Sequence, residues 1–577
     1  MATDVSRRAL LATLSATGAA SMAGCFSRVR SQVAYTPAQQ VDLTVSCVPA
    51  DRDPIATGIA RSVRDALDDV GADVGLELVS EEQLLRDALY NHQFDLLVTR
   101  VSGHREPDEL RALLHSRFAE EEGWQNPGGY ANANLDRTLE RQRRAGAGNR
   151  RDSIEELQRT VAREVPFVPV AAPTHLGVVA AGLSVPGRYD RTDRFSYLLA
   201  TREAESLDRL SLALTHTEPT VNRNLLAVEF RSRDGLVDLL YDPLVRRLER
   251  EYVPWLASDV AATDEGLRVE LRPECTWHDG TDLTAEDVAF TYRFLQDTAL
   301  GSTDSPVPAP RYRSQTSLVE SVTASDEHTL TFEFATVRRA VASHALTVPI
   351  LPEHEWRARS ELQRAYLTAA LLGDVDAPVG SGPLAFESAS TETSLTFRRF
   401  DDHFLRRDDD LPAALEAFRG GPEYEELEAR YVPNVSAAVN GVGTGEFDAI
   451  DGSVPPGVAQ VAMEHEDVTL VERPSADYYA VWFDVRSAPL SHHGFRAAVA
   501  RLLDRDAIVA TAFDGYGTPT ETPLHASPYV PDDLEWDGSS VLGAYPGADG
   551  DLDVEAARQL FREAGFRYHE GALLARQ

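Results

Sequence analysis

The chain has no lysine: all 56 basic residues are arginine, set against 92 Asp and Glu, for a formal charge of −36 over 577 residues. Without lysine there is no Schiff-base chemistry and no phosphate loop ending Gly-Lys-Ser/Thr. Cysteine is almost as scarce. Cys25, Cys47 and Cys275 are the full set, too few for a disulfide framework or a four-thiolate zinc site. The Gly-x-Ser-x-Gly elbow and the His-Glu-x-x-His zinc motif are both missing. A chain this acidic lacks the cationic surface that nucleic acid requires.

What is present is ordinary globular material. Hydrophobic residues make up 43% and charged residues 26%, enough for a large core and unlike a disordered chain. At about 150 residues per domain the length predicts three or four domains, or fewer large ones. The acids are spread along the whole chain rather than gathered in a tail. At molar salt the screening length falls to about 3 Å, so such self-repulsion is tolerable there. Arginine in place of lysine, with added carboxylates, resembles the surface of proteins from salt-loving archaea.

The first residues predict export. Ser6-Arg7-Arg8-Ala9-Leu10-Leu11 opens a small, apolar stretch from Ala9 to Gly24 that ends in Met22-Ala23-Gly24-Cys25. A bilayer span needs about 20 apolar residues, so this stretch is too short to cross one. Paired arginines before it resemble a twin-arginine signal. The small residues before Cys25 resemble a lipobox, which predicts a lipid anchor on Cys25 and a tether over residues 25–40.

Residues 41–99 alternate strand and helix signals. Val41, Leu43 and Val45 are apolar at every second position, a strand pattern. Asp53-Pro54 is a cap followed by proline at the first helical position. Ile55, Ile59, Val63, Ala66, Leu67 and Val70 then make one helical face, stopped at Gly71. Val74, Leu76 and Leu78 alternate again, Ser80-Glu81-Glu82-Gln83 is a capping box, and Phe94–Val98 is an apolar strand. Such a βαβαβ unit implies a parallel sheet with a ligand cleft beyond the strands' C-terminal ends, facing the loop Thr99–Asp108. From about residue 205 shorter alternating segments, such as Leu267–Leu271 and Thr329–Phe334, predict a mixed, strand-rich region. Helices return at Phe495–Phe513 and Val554–Ala564.

Two histidine motifs invite a chemical reading, and a structural one is stronger for each. Adjacent His492 and His493 point opposite ways in an extended segment, which suits a solvated loop better than a metal pair. His278-Asp279 lies in Trp277-His278-Asp279-Gly280-Thr281, where Asp-Gly reads as a turn bonding local backbone rather than as a catalytic dyad.

Six blocks in order resemble the family-5 extracellular solute-binding proteins that feed peptide and nickel ABC importers. Leu240–Val245 with Val253–Ala257 is similar to the family's early segment. Leu271-Arg272-Pro273 with Trp277–Val288 is similar to its best-known signature. Pro378-Val379-Gly380-Ser381-Gly382-Pro383-Leu384 resembles its Gly-Thr-Gly-Pro-Tyr region, with Ser381 for Thr and Leu384 for Tyr. Gly445–Asp448, Tyr478–Asp484 and Leu503–Val509 continue the series.

The order of these blocks departs from the family. Ala564-Gly565-Phe566 normally precedes a further strand, helix and Asp-rich loop. Those segments resemble residues 41–190 instead, through Phe94–Leu97, Gly129–Asp136 and Val165–Pro169, before the usual beginning near Tyr197 and Ser206-Leu207-Asp208. The resemblance therefore implies an α/β, two-lobe, periplasmic-binding-protein-like fold of the large type with an extra subdomain, circularly permuted. A signal over 1–24 and the tether precede the lobes. The first lobe would be one block, 172–480, and the second would combine 41–171 with 481–577. A strand near 41–46 should then share a sheet with one near 481–486.

The resemblance implies a non-enzymatic, membrane-anchored extracellular protein without a cofactor, monomeric, that delivers an oligopeptide or dipeptide to an ABC transporter permease. A sugar, an anion or a metal chelate on the same fold, a ligand-sensing lipoprotein without a transporter, and a secreted enzyme stay open as alternatives. Tyr478, Tyr479 and Trp482 are the candidate aromatic walls, at an expected crossover between lobes over Tyr478–Asp484. By strand alternation Tyr478 and Trp482 share a face opposite Tyr479. Gly382 and Asp208, from the matching motifs, complete the implied ligand-binding set with the loop after Val98. Peptide-binding relatives place a Trp and an amine-anchoring Asp in that loop. Alignment on Pro107 puts Arg100 and Gly103 at those positions, so this chain departs from both. Arg100, His104 and Arg105 there favour an anionic or hydroxyl-rich ligand, since guanidinium pairs carboxylate bidentately.

Overall fold

A computed structural model describes residues 39–575, apart from residues 105, 147, 186–193, 204–205, 229–234, 249–250, 265, 336–337, 365–366 and 409–410. Cys25, the segment expected to carry an export signal, and Arg105 lie outside the described residues.

The alternation at the start of the chain folds as its pattern dictates. Strand β1 (Asp42–Cys47) buries Leu43, Val45 and Cys47. Helix α1 (Pro54–Asp69) starts where the Asp53 carboxylate accepts a hydrogen bond from the Ala56 amide, and buries Ile55, Ile59, Val63 and Leu67. It stops at Gly71, whose φ of 100° is a conformation that side chains rarely adopt. Strand β2 (Asp73–Leu78) pairs in parallel with β1 and ends the sheet, which leaves Leu78 exposed. Helix α2 (Glu81–Leu89) is capped by Ser80. Strand β3 (Leu96–Val101) pairs in parallel with β1.

β3 runs three residues further than its apolar segment, because its far edge pairs with the strand Tyr478–Phe483 in antiparallel register, Tyr478 opposite Val101. The sheet is therefore mixed. It has twelve strands, and its path carries β2, β1, β3, Tyr478–Phe483 and then the 14-residue strand β4 (Phe167–Ala180) as neighbours. Residues 42–47 and 478–483 thus share one sheet.

β4 runs through hydrophobic cores of both lobes. Its first half pairs with Tyr478–Phe483, its second half with Val468–Pro474. One core, that of the second lobe, gathers buried residues from Val41 to Ala171 and from Tyr478 to Leu573. The first lobe has a large core from Leu183 to Ala449, including a four-stranded antiparallel sheet made by Ala257–Ala262, Gly266–Leu271, Val319–Ala324 and Thr329–Phe334, and a smaller one in which Leu176 and Val178 of β4 meet Ala213, Val439 and Ile450. The chain passes between lobes twice, near Ala172–Thr174 and near Pro474–Asp477. The second passage precedes the expected Tyr478–Asp484. That strand lies between β3 and β4, and all six of its residues are buried.

The expected helix over Phe495–Phe513 is two, His493–Arg501 and Arg505–Ala512, because the Asp504 side chain caps the second by accepting from Ala507 N–H. Among the described residues, no helix is long and apolar enough to cross a membrane.

His278 and Asp279 do not bond each other. The Gly380 amide donates to His278 Nδ1 (3.1 Å), so His278 Nε2–H donates to the Gly382 carbonyl (2.9 Å). Asp279 accepts from the Thr281 amide and hydroxyl. The Trp-His-Asp-Gly and Gly-Ser-Gly-Pro motifs thus hold each other in the first lobe. His492 and His493 also part, His492 meeting the Phe566 ring edge-on and His493 bonding the Arg163 carbonyl.

Candidate functional site

Two cavities lie between the lobes. The first, about 250 Å³, is walled by the start of α1, the end of β3 and Tyr479 from the second lobe, and by Arg194, His216, Glu218 and Asp451 from the first. Asp53 anchors one side. Besides capping α1, its two carboxylate oxygens accept from the Tyr479 hydroxyl at 3.1 and 3.0 Å. Next to it Arg52 donates to Glu81 (2.7 Å) and, across the cleft, to Glu218 (2.9 Å). His216 Nδ1 lies 2.9 Å from Glu218. Burial would raise the Glu218 carboxyl, but His216 and Arg52 outweigh it and hold it at about 2.

The opposite wall is built on buried ion pairs. Arg194 grips Asp451 with two hydrogen bonds (3.0 and 3.2 Å), and the Tyr197 hydroxyl adds a third at 3.0 Å. Burial disfavours the Asp451 charge, yet these partners bring its carboxyl below the ordinary value. Arg100 pairs with the fully buried Asp477 at 3.0 Å. Three guanidinium groups therefore face four carboxylates in this lining.

The second cavity, about 300 Å³, is bounded by Gly103, His104, Glu109, Trp124 and Gln125 of the second lobe and by Arg246, Arg247, Tyr252, Arg311 and His344 of the first. Its balance is the reverse, three arginines to one carboxylate. Cleft-spanning bonds flank it, with Arg313 bidentate on Glu121 (2.7 and 2.9 Å) and the Tyr252 hydroxyl 3.4 Å from Glu106. A third cavity, about 280 Å³, lies at the passage between lobes and shares Arg100 and Arg194 with the first.

The candidates named from sequence separate into two groups. Tyr479 and Arg100 line the first cavity, Gly103 and His104 the second. Tyr478 and Trp482 line neither. They are 0% and 1% exposed, packed on Phe167 in the core, with the Tyr478 hydroxyl 3.1 Å from His104 Nε2. Gly382 packs against Leu239 and Leu240 beneath His278, and Asp208 is exposed ahead of the strand Arg209–Leu214. Gly103 has no room for a side chain, since an added Cβ would lie 2.4 Å from Ala476, and its amide donates to Asp477 (3.0 Å). The carboxylate beside the relatives' anchoring position therefore belongs to Asp477 and is taken by Arg100. Sequence reasoning missed Arg194 with Asp451, which lie 257 positions apart. It took Asp53 for a helix cap only, although an Asp before Pro54 at the C-terminal edge of a sheet was a usable signal.

The described residues thus form two lobes joined by two strand passages, with charged cavities between them. Residues 251–574 match the model for bacterial extracellular solute-binding proteins, family 5 middle region, and the chain belongs to that family. It is 24% identical over 374 residues to the oligopeptide-binding protein AppA of Bacillus subtilis, covering 61% of this chain and 59% of that protein. It is 23% identical over 405 residues to the heme-binding protein A of Haemophilus influenzae, covering 67% and 68%. Among solved structures it is similar to AppA of Bacillus subtilis in complex with a nonapeptide, at 20% identity and a TM-score of 0.45, covering 64% of this chain and 66% of that one. It is also similar to NikZ from Campylobacter jejuni in complex with Ni(L-His), at 19% identity and a TM-score of 0.46, covering 63% and 64%.

Proposed function

We propose that the protein is a lipid-anchored extracellular receptor that closes its two lobes on an oligopeptide or dipeptide and delivers it to an ABC importer permease. The observation that carries this reading is the first interlobe cavity, where Tyr479 offers a ring and Asp53, Glu218 and Arg194 offer charge of both signs. Such a lining suits a zwitterionic chain with apolar side groups. The name of the AppA relative supports a peptide. With Gly103 at the usual anchoring position, Asp53 is the carboxylate we assign to the ligand's amine. Export by the paired arginines and anchoring at Cys25 belong to the same proposal, as does monomeric action.

We also propose that the lobes are circularly permuted relative to the family. The shared sheet of β1, β3 and Tyr478–Phe483 supports this. A recut chain, with residue 577 joined to 41 and opened within 186–193, should fold with the same circular dichroism and melt within a few degrees of the parent. Failure of several recut variants to fold would count against the permutation.

Mass spectrometry of small molecules released from protein purified in high salt tests the ligand. A stoichiometric peptide is expected. A protein that is empty, and whose melting in molar KCl is unmoved by saturating peptides, sugars and metal chelates, would sink solute capture. A ligand at 100 times its Kd adds about 2.7 kcal/mol, readily seen as a melting shift.

A further inference from the structure

The chain carries one Asn-x-Ser/Thr motif, Asn434-Val435-Ser436, and no other asparagine has serine or threonine two positions on. In a secreted protein this motif accepts a glycan on the asparagine amide. Here it lies on the surface. Pro433 and Asn434 are exposed, in the link between the strand Glu426–Tyr431 and the helix Val435–Gly443. Asn434 caps that helix from an extended backbone (φ −129°, ψ 122°), its Oδ1 accepting from the Ala437 amide at 3.0 Å. The cap fixes which end of the amide is left over. Nδ2 has no partner among the described residues, and neither has the Ser436 hydroxyl. By contrast, Asn91, Asn126, Asn132 and Asn224 spend Nδ2 on acceptors of the protein itself.

The position leaves room for a bulky group. Tyr431 lies opposite Leu214 in parallel register, and the Val432 amide donates to the Leu214 carbonyl at 2.8 Å. Thr215 and His216, which follow Leu214, line the first interlobe cavity. The motif therefore stands at the cleft-facing end of the first lobe, yet Asn434 lines none of the three cavities. It is exposed while Arg52 and Arg313 bridge the cleft to Glu218 and Glu121. The root of a glycan there is open with the lobes bridged and lies outside the solute's cavities.

We propose that Asn434 carries an N-linked glycan, transferred from a lipid-linked, phosphate-activated sugar chain. The bond from the anomeric carbon to the phosphate oxygen breaks and a bond from that carbon to Nδ2 forms. Nδ2 gives up one proton, and the lipid phosphate leaves. Oδ1 stays a carbonyl oxygen, so the bond from the Ala437 amide and the helix cap survive the transfer. The proposal rests on the export reading, since the motif is modified in secreted proteins, and it is independent of which solute the cleft takes.

Mass spectrometry of the proteolytic peptide that contains Asn434, cut from the full chain purified from its own host, reads the modification. A sugar-sized mass increment on Asn434 is expected. N434Q should lack it. S436A should abolish it with the capping asparagine untouched, and S436T should retain it. N440Q, on the same helix but outside the motif, should leave it unchanged. Treatment of intact cells with external protease runs alongside. Unmodified Asn434 in protein that this protease removes would overturn the glycan and leave export standing. Unmodified Asn434 in protein that the protease spares would overturn both. An increment that persists in S436A, or that maps to another residue, would also overturn the assignment.

Discussion

Arg52 and Glu218 meet across the cleft, with Nη2 of one lobe 2.9 Å from the carboxylate of the other. The side chains are 30% and 29% exposed, so the pair is worth about 0.5–1 kcal/mol and less in molar salt. That is enough to bias a two-state opening several-fold. R52Q and E218Q should each enlarge the radius of gyration in solution scattering, and the double variant should add little. Equal radii in all four proteins would show that the pair does not hold the lobes. The Glu218 carboxyl, depressed to about 2, places the acid limit. Its contribution is present above the ordinary carboxylate value and is lost as pH falls toward 2.

His278 predicts a second pH dependence. Burial pushes its imidazole down to about 4, against a smaller upward pull from the Gly382 carbonyl. A lowered histidine stabilises the fold above its unfolded value of about 6.5, and that stability is lost as pH falls from there through about 4. The change amounts to about 3 kcal/mol. H278Q should flatten this part of the stability profile, measured by urea unfolding between pH 7 and 4. A profile as steep as the parent's would assign the acid sensitivity to other groups.

The local parts of this architecture were legible in the sequence, and the distant ones were not. Caps at Asp53 and Ser80, the α1 face and the stop at Gly71 depend on neighbours within one or two helical turns, so their spacing carries them. The resemblance of scattered blocks located the strand that holds Tyr479. Alternation could not choose between Tyr479 and the pair Tyr478 and Trp482, because the strand is central and buried on both faces. Arg100 was visible as a cleft residue, but its partner Asp477 belongs to a distant passage between lobes. Arg194 and Asp451 leave no local mark, since their pairing exists only after the sheet forms.

Gly103→Ala tests how tightly the passage between lobes is packed against the loop after β3. The new Cβ would lie 2.4 Å from both Cβ and carbonyl oxygen of Ala476. Backbone there must move, at a cost of about 1–3 kcal/mol, and the Gly103 amide would leave Asp477. Thermal unfolding should show the loss in G103A and none in G457A, where a Cβ meets nothing within 4 Å. Equal melting of the two variants would mean that the loop yields freely.

Asp451 offers the sharpest separation of stability from binding. The residue is 4% exposed, and its carboxylate takes two hydrogen bonds from Arg194 and one from Tyr197. D451N removes the Asp451 charge from its pair with Arg194, and breaking a buried pair in this way costs about 3–5 kcal/mol. The same change removes one negative charge beside a guanidinium that lines both the first interlobe cavity and the cavity at the passage between lobes. D451N should therefore melt lower yet bind an acidic solute more tightly than the parent. D451N combined with R194Q should recover part of the stability and lose the gain in binding. If the single and double variants bind alike, Arg194 is a strut for the lobe and not part of the solute's environment.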